Sequence, residues 1–149
     1  MTSPLEGLRL QSINGDQPEP ETEDDPETFL LSSILDQDHA ILPAGAYLVV
    51  GQTEALAITD SGALTIEMLT GFLQNGDEGI RLIDADDNII DAVSYGGVVS
   101  SANEGGTATV TDPGAGSIGR CPNGADTNDN AADFALNTTL SPGAPNPCD

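Results

Sequence analysis

Asp126, Asn128 and Asn130 carry side-chain oxygens at alternate positions, and Asp133 follows three residues later. Ca²⁺ takes six to eight oxygen ligands, so a chain that wraps it needs this kind of alternation. The stretch lacks the glycine at the sixth position and the glutamate at the twelfth that an EF-hand loop requires. Asp84, Asp86 and Asn88 repeat the pattern, although an Asx-rich turn between two strands accounts for them without a ligand. Calcium at Asp126, Asn128, Asn130 and Asp133 is therefore an expectation that stands beside a plainer one, in which both segments are ordinary turns.

Other chemistry is sparse. There is one histidine, His39, and the three cations are Arg9, Arg81 and Arg120, with no lysine. The commonest general base and a nucleophilic amine are thus scarcely supplied. No Gly-x-Ser-x-Gly elbow or phosphate loop occurs, and carboxylate pairs carry no signal in a chain this acidic. The composition points away from an enzyme. His39 reads as a solvated loop residue, and Arg120 as the partner of a carboxylate such as Asp91 or Asp133. Asn137, Thr138 and Thr139 spell a glycosylation sequon that is read as incidental.

Cys121 and Cys148 lie 27 positions apart without the clustered His and Cys of a zinc site. They read as a disulfide, with two unpaired thiols as the alternative. A disulfide places the protein in an oxidising compartment, extracellular or at a cell surface.

The charge narrows the partners. With 25 acidic residues against three cations, the net charge is −22. Nucleic-acid binding depends on Lys and Arg neutralising phosphates, so a polyanion is excluded as a partner. Metal cations, basic protein patches and solvation at high salt remain. No apolar run approaches the roughly 18 residues that a membrane-spanning helix needs.

The elements that must position these residues are short. Residues 64–68 alternate apolar and polar, which is strand period. Similar runs occur at 8–10, 28–31, 46–50, 79–84, 89–95 and 107–111, separated by Asn-Gly, Pro-x-Gly, Asp-Asp-Asn and Asp-Pro-Gly turns. Helix signals are nearly absent; only 61–73 admits a helical alternative. Six or seven strands with frequent turns predict an all-β sandwich or barrel. The clearest hairpin spans 79–95, with Ile80 and Leu82 facing one side and Arg81 and Ile83 the other. Residues 16–27 hold seven acidic residues and three prolines, which predicts a mobile acidic loop. Residues 137–149 predict an extended tail with few contacts, and 1–149 reads as a single domain.

Three segments, taken in order, resemble the lamin tail domain of bacterial secreted and surface proteins. The first runs from Ile41 through Pro43, Gly45 and Tyr47 to Val50. The second joins Leu73, Asn75, Gly76 and Asp77 to Asp84, Asp91, Val93 and Tyr95. The third combines Ser117 and Arg120 with Asp133, Phe134, Pro142, Gly143 and Asn146. The resemblance covers about residues 40–146. It implies an immunoglobulin-like β-sandwich without enzymatic activity, in which Tyr47, Asp91, Tyr95, Arg120 and Phe134 are structural residues. Such modules accompany nuclease, phosphatase or adhesion domains in exported proteins.

The chain departs from that pattern at its start. Residues 5–10 could match the family's second piece, with Leu8 where a tryptophan is usual, and the opening strand is missing. The expected consequence is an unpaired edge along residues 5–13, inviting a weak two-fold dimer that the net charge opposes. The functional expectation is a non-catalytic structural or accessory module that contacts a protein partner or a neighbouring domain. The alternative is a calcium-dependent module that recognises a protein or glycan surface. The lack of tryptophan and the scarcity of tyrosine weigh against glycan.

Overall fold

The computed structural model describes residues 2–15, 27–31, 41–68, 71–109 and 114–149. Among them the chain forms β1 (Thr2–Pro4), β2 (Arg9–Asn14), β3 (Glu27–Leu30), β4 (Ile41–Pro43), β5 (Leu48–Gly51), α1 (Thr53–Ala57), β6 (Leu64–Glu67), β7 (Glu78–Ile83), β8 (Ile89–Tyr95), β9 (Ser117–Arg120), α2 (Asn130–Asp133) and β10 (Phe134–Asn137). The protein is mostly strand, as its period-two runs predict. His39 and all but Glu27 of the acidic stretch 16–27 lie outside the described residues.

Four strands form the principal sheet, in the order β3-β2-β7-β8, antiparallel throughout. The β7–β8 hairpin forms where its sequence places it, with a register shift between Leu82 and Ile83. Its turn is closed by the Asp84 carboxylate, which accepts hydrogen bonds from Asp86 N, Asn88 N and Asn88 Nδ2 at 2.8–2.9 Å. Asp87 supplies the positive φ of 65° that the reversal needs. Arg9 fastens the turn to β2 through Asp84 O at 2.6 Å and Asp87 Oδ1 at 3.0 Å. These contacts make the segment a self-closing turn.

Three further pairs complete the described architecture: β1–β4 and β9–β10 are antiparallel, and β5–β6 is parallel. The short helix α1 makes the crossover between β5 and β6, a connection that parallel strands require. Neither α1 nor α2 was foreseen, because four or five residues are too few to show a 3.6-residue period. Of the run expected at 107–111, residues 107–109 form no strand, although Thr109 N donates to Ser94 O at 2.9 Å, and 110–111 lie outside the described residues.

The N-terminal segment corrects an expectation. β2 is an interior strand, paired with β3 on one side and β7 on the other. Thr2–Pro4 is itself paired with β4. The edge predicted along residues 5–13 is therefore filled from within the chain over 9–14.

Below one face of the sheet, Ile13, Val99 and Ala102 form a buried cluster. A 3₁₀ turn at Ser100–Ala102 presses against β7, and Gly79 permits it. A Cβ on Gly79 would lie 2.6 Å from the Ala102 Cβ. Any side chain there would force the turn off the sheet.

The tail also differs from expectation. It has no regular structure after Asn137, but it is tied at many points. Pro142 O accepts from Asp60 N, Asn146 Nδ2 donates to Arg120 O, and Asn146 N donates to Asn123 Oδ1. Thr138 and Thr139 hydroxyls donate to Asp149 and, with the Thr138 N–H, hold its carboxyl down to about 2.

Candidate functional site

Arg120 ends β9, and its register partner across the hairpin is Phe134. Residues two apart share a face in a strand, and cross-strand partners meet on it. The guanidinium consequently stacks over the Phe134 ring, 4.7 Å from its centre. Four carboxylates converge on the same group. Asp91 of β8 lies at 2.6 Å, Asp126 and Asp133 at 3.2 Å, and Glu104 at 3.7 Å. Ala125 O accepts a further hydrogen bond from Nη1 at 3.0 Å. The Arg120 side chain is only 11% exposed, and both of its Nη groups bond inside the molecule, to Ala125 O, Asp133 and Asp91.

The loop after β9 delivers two of these carboxylates. Asp129 caps α2, accepting from Ala131 N and Ala132 N. That cap turns Asp133 inward, to 3% exposure. Its carboxylate accepts from Thr127 N and Thr127 Oγ1 at 2.7 Å, and these donors hold its pKa below the usual carboxylate range. Glu104 behaves oppositely. Burial raises it first, and the Asp91 and Asp126 charges add to the rise.

Asn130 has a different task. It is wholly buried, accepting from Ser94 N at 3.0 Å and donating to Ala92 O at 2.9 Å. Its amide thus imitates a neighbouring strand and closes the free edge of β8. Asn128 occupies the left-handed region with φ 58°, and its N–H donates to Asp126 Oδ1. The four residues of the expected calcium shell are therefore brought into one neighbourhood, but Asp126 and Asp133 face Arg120 and Asn130 faces β8. Among the described residues no set of three or more His, Cys, Asp or Glu side chains is placed to hold a metal ion.

The two tyrosines lie apart from this cluster. The Tyr47 hydroxyl accepts from Asn123 Nδ2 at 3.1 Å, and the Tyr95 hydroxyl donates to Gln74 O at 2.8 Å. Tyr95 ties the end of β8 to the loop at Gln74, and Tyr47 ties the residue before β5 to the loop at Asn123. Cys121 and Cys148 form a disulfide, with Cα atoms 5.6 Å apart. Asn137, 1% exposed, accepts from Cys148 N at 2.8 Å, which seats the C-terminal end beside β10. Its burial leaves the sequon's side chain no access to an enzyme in the folded protein.

The sequence did not single out Glu78. It opens β7, is 1% exposed, and takes a hydrogen bond from the Ser12 hydroxyl through Oε1. Oε2 has no partner among the described residues. Burial raises its pKa, against the lowering effect of Ser12. Because the folded value lies above the unfolded one, this group favours folding below its unfolded pKa and loses that advantage as pH rises through the folded value. Glu78→Gln should therefore raise the melting temperature at pH 7 more than at pH 4. Glu54→Gln, at an exposed position, controls for the general relief of negative charge. Equal gains from the two variants at pH 7 would deny Glu78 any special cost.

Comparison with family models, with curated proteins and with solved structures found no match for this chain.

Proposed function

We propose that the chain is a non-catalytic structural or accessory module of an exported or surface protein, an immunoglobulin-like sandwich of the lamin-tail type. The observation that carries this reading is the enclosure of Arg120. The side chain best equipped to grip an acidic ligand is instead surrounded by four carboxylates and a ring. Asp91, Arg120 and Phe134, which the resemblance marks as structural, meet in that cluster. In this reading the β9–β10 hairpin forms part of the second layer, joined to the principal sheet through Arg120 and Asp91. The disulfide is compatible with an oxidising exterior, and no described helix is long and apolar enough to cross a membrane.

The experiment is a metal titration followed by melting temperature. A structural module gains as much from Mg²⁺ as from Ca²⁺, because any divalent cation screens a net charge of −22. Asp126→Asn leaves both gains in place. A rise specific to Ca²⁺ that Asp126→Asn removes would replace this reading with that of a calcium-dependent binding module.

A further inference from the structure

The alternation of an antiparallel ladder gives the outer edge of β9 a definite character. Cys121 N donates to Asp133 O, so that pair is a hydrogen-bonded one. By alternation Gly119 and Ser117 also bond toward β10, while Ile118 and Arg120 present their N–H and C=O outward. The outward Arg120 carbonyl is capped by Asn146 Nδ2 at 3.0 Å. The N–H and C=O of Ile118 have no hydrogen-bond partner among the described residues. This differs from β8, whose edge Asn130 closes.

Two apolar clefts meet at this same residue. One, of about 280 Å³, is lined by Ile118 and Ser117 with Leu73, Ile80, Val93 and Phe134. The other, of about 270 Å³, is lined by Ile118 and Ser117 with Ile58, Leu140 and Pro142. Ile118 shares the Arg120–Phe134 face of the hairpin, whereas Ser117 and Gly119 share the Asn146 face. Ile118 and Ser117 line both clefts, but Phe134 lines only the first and Asn146 only the second, so the two open on opposite faces of the hairpin. Leu73, Ile58 and Leu140 are among the large apolar side chains left exposed.

We propose that the outer edge of β9 at Ile118 docks an extended peptide strand that is apolar at its centre and basic at its ends. Main-chain bonds to Ile118 supply the pairing. Successive side chains of a strand point to opposite faces, so adjacent apolar residues of the partner enter the two clefts in turn. The basic flanks follow from charge complementarity: a chain with a net charge of −22 attracts cations and repels a second copy of itself. Asn146 limits the ladder on the Arg120 side, so the partner extends toward Ser117. This inference does not depend on the Arg120 cluster, and its failure leaves the module reading in place.

The test is a titration of the ¹⁵N-labelled protein with an end-blocked synthetic peptide, Arg-Lys-Val-Ile-Val-Ile-Lys-Arg. The Ile118 amide should shift and gain protection from hydrogen exchange, and binding should weaken as salt rises. Glu and Asp in place of the basic residues should abolish binding. Ile118→Pro removes the outward N–H without touching the β10 ladder, a substitution that edge strands tolerate. It should weaken binding about tenfold, the worth of one hydrogen bond with its strand geometry. Ile118→Val should bind as the parent does. If Ile118→Pro does not fold, Ile58→Asn and Leu140→Asn, both at exposed positions, should each weaken binding through the clefts. Unchanged affinity in these variants overturns the proposal. An Ile118 amide already protected in the free monomer, or protected in a dimer of this chain, overturns it too.

Discussion

Replacing Arg120 with methionine is expected to cost about 3 kcal/mol of folding stability, near the lower end for breaking a buried ion pair by removing one partner. Methionine keeps the apolar contact with Phe134 but leaves Asp133, Glu104, Asp91 and Asp126 facing one another. The lower figure applies because Asp91 and Asp126 are 44% and 42% exposed, where water screens them. Asp133 is held at a low pKa first by Thr127 and to a smaller degree by Arg120. Its contribution is present above the unfolded carboxylate pKa and is lost as pH falls through the folded value. The deficit of Arg120→Met against the parent should therefore shrink on acidification. Arg120→Lys should recover part of the loss, since an ammonium keeps the charge but not the planar fork. Urea denaturation at two pH values reads all three effects. A loss below about 1 kcal/mol, typical of surface pairs, would remove the Arg120 cluster as an organising feature.

Loss of the disulfide is the second large effect. Cys121 and Cys148 close a loop spanning 27 positions, and the chain-entropy relation puts the stabilisation near 3.5 kcal/mol. The double variant Cys121→Ser, Cys148→Ser should show that loss together with a steeper dependence on urea, because its unfolded chain expands further. Parent protein held in excess reductant should match it. The Asn137 contact to Cys148 N and the Asp149 contacts to Thr138 and Thr139 act on the same few residues. Fraying should consequently begin at the tail, with amide exchange beyond Asn137 rising first in the reduced protein. Indistinguishable stability of the reduced and oxidised forms would refute this account.

Six of the strands, β2, β3, β5, β6, β7 and β8, could be read from the chain because each has its own signal, whereas β1, β4, β9 and β10 fall outside the alternating runs. The β7–β8 hairpin is announced by Ile80, Leu82, the Asp-Asp-Asn turn and the alternation of 89–95, all within one short segment. Period-two alternation and turn chemistry are local, so a linear reading captures them. Arg120 could likewise be marked as a carboxylate's partner, since a chain with three cations has few other uses for one. Three features had no local signal. The place of β2 between β3 and β7 depends on pairing partners up to 74 positions away, as in Arg9 with Ile83. Asn130 and its neighbours look the same in sequence whether they wrap an ion, make a turn or seal a strand edge. Glu78 reads as one more acidic residue among 25.

What the sequence determined by itself was the class of elements, the acidic character, and the scarcity of catalytic groups, because these follow from residue type and spacing alone. The tertiary structure decided where each polar group spends its hydrogen bonds. Burial leaves a carboxylate or an amide only the donors and acceptors that folding brings within reach. Asp133 came to face Arg120 and Thr127, and Asn130 came to face β8, through strand pairing across long separations. Those pairings also left Ile118 facing outward between two apolar clefts, a result of ladder register that no single segment of the chain encodes.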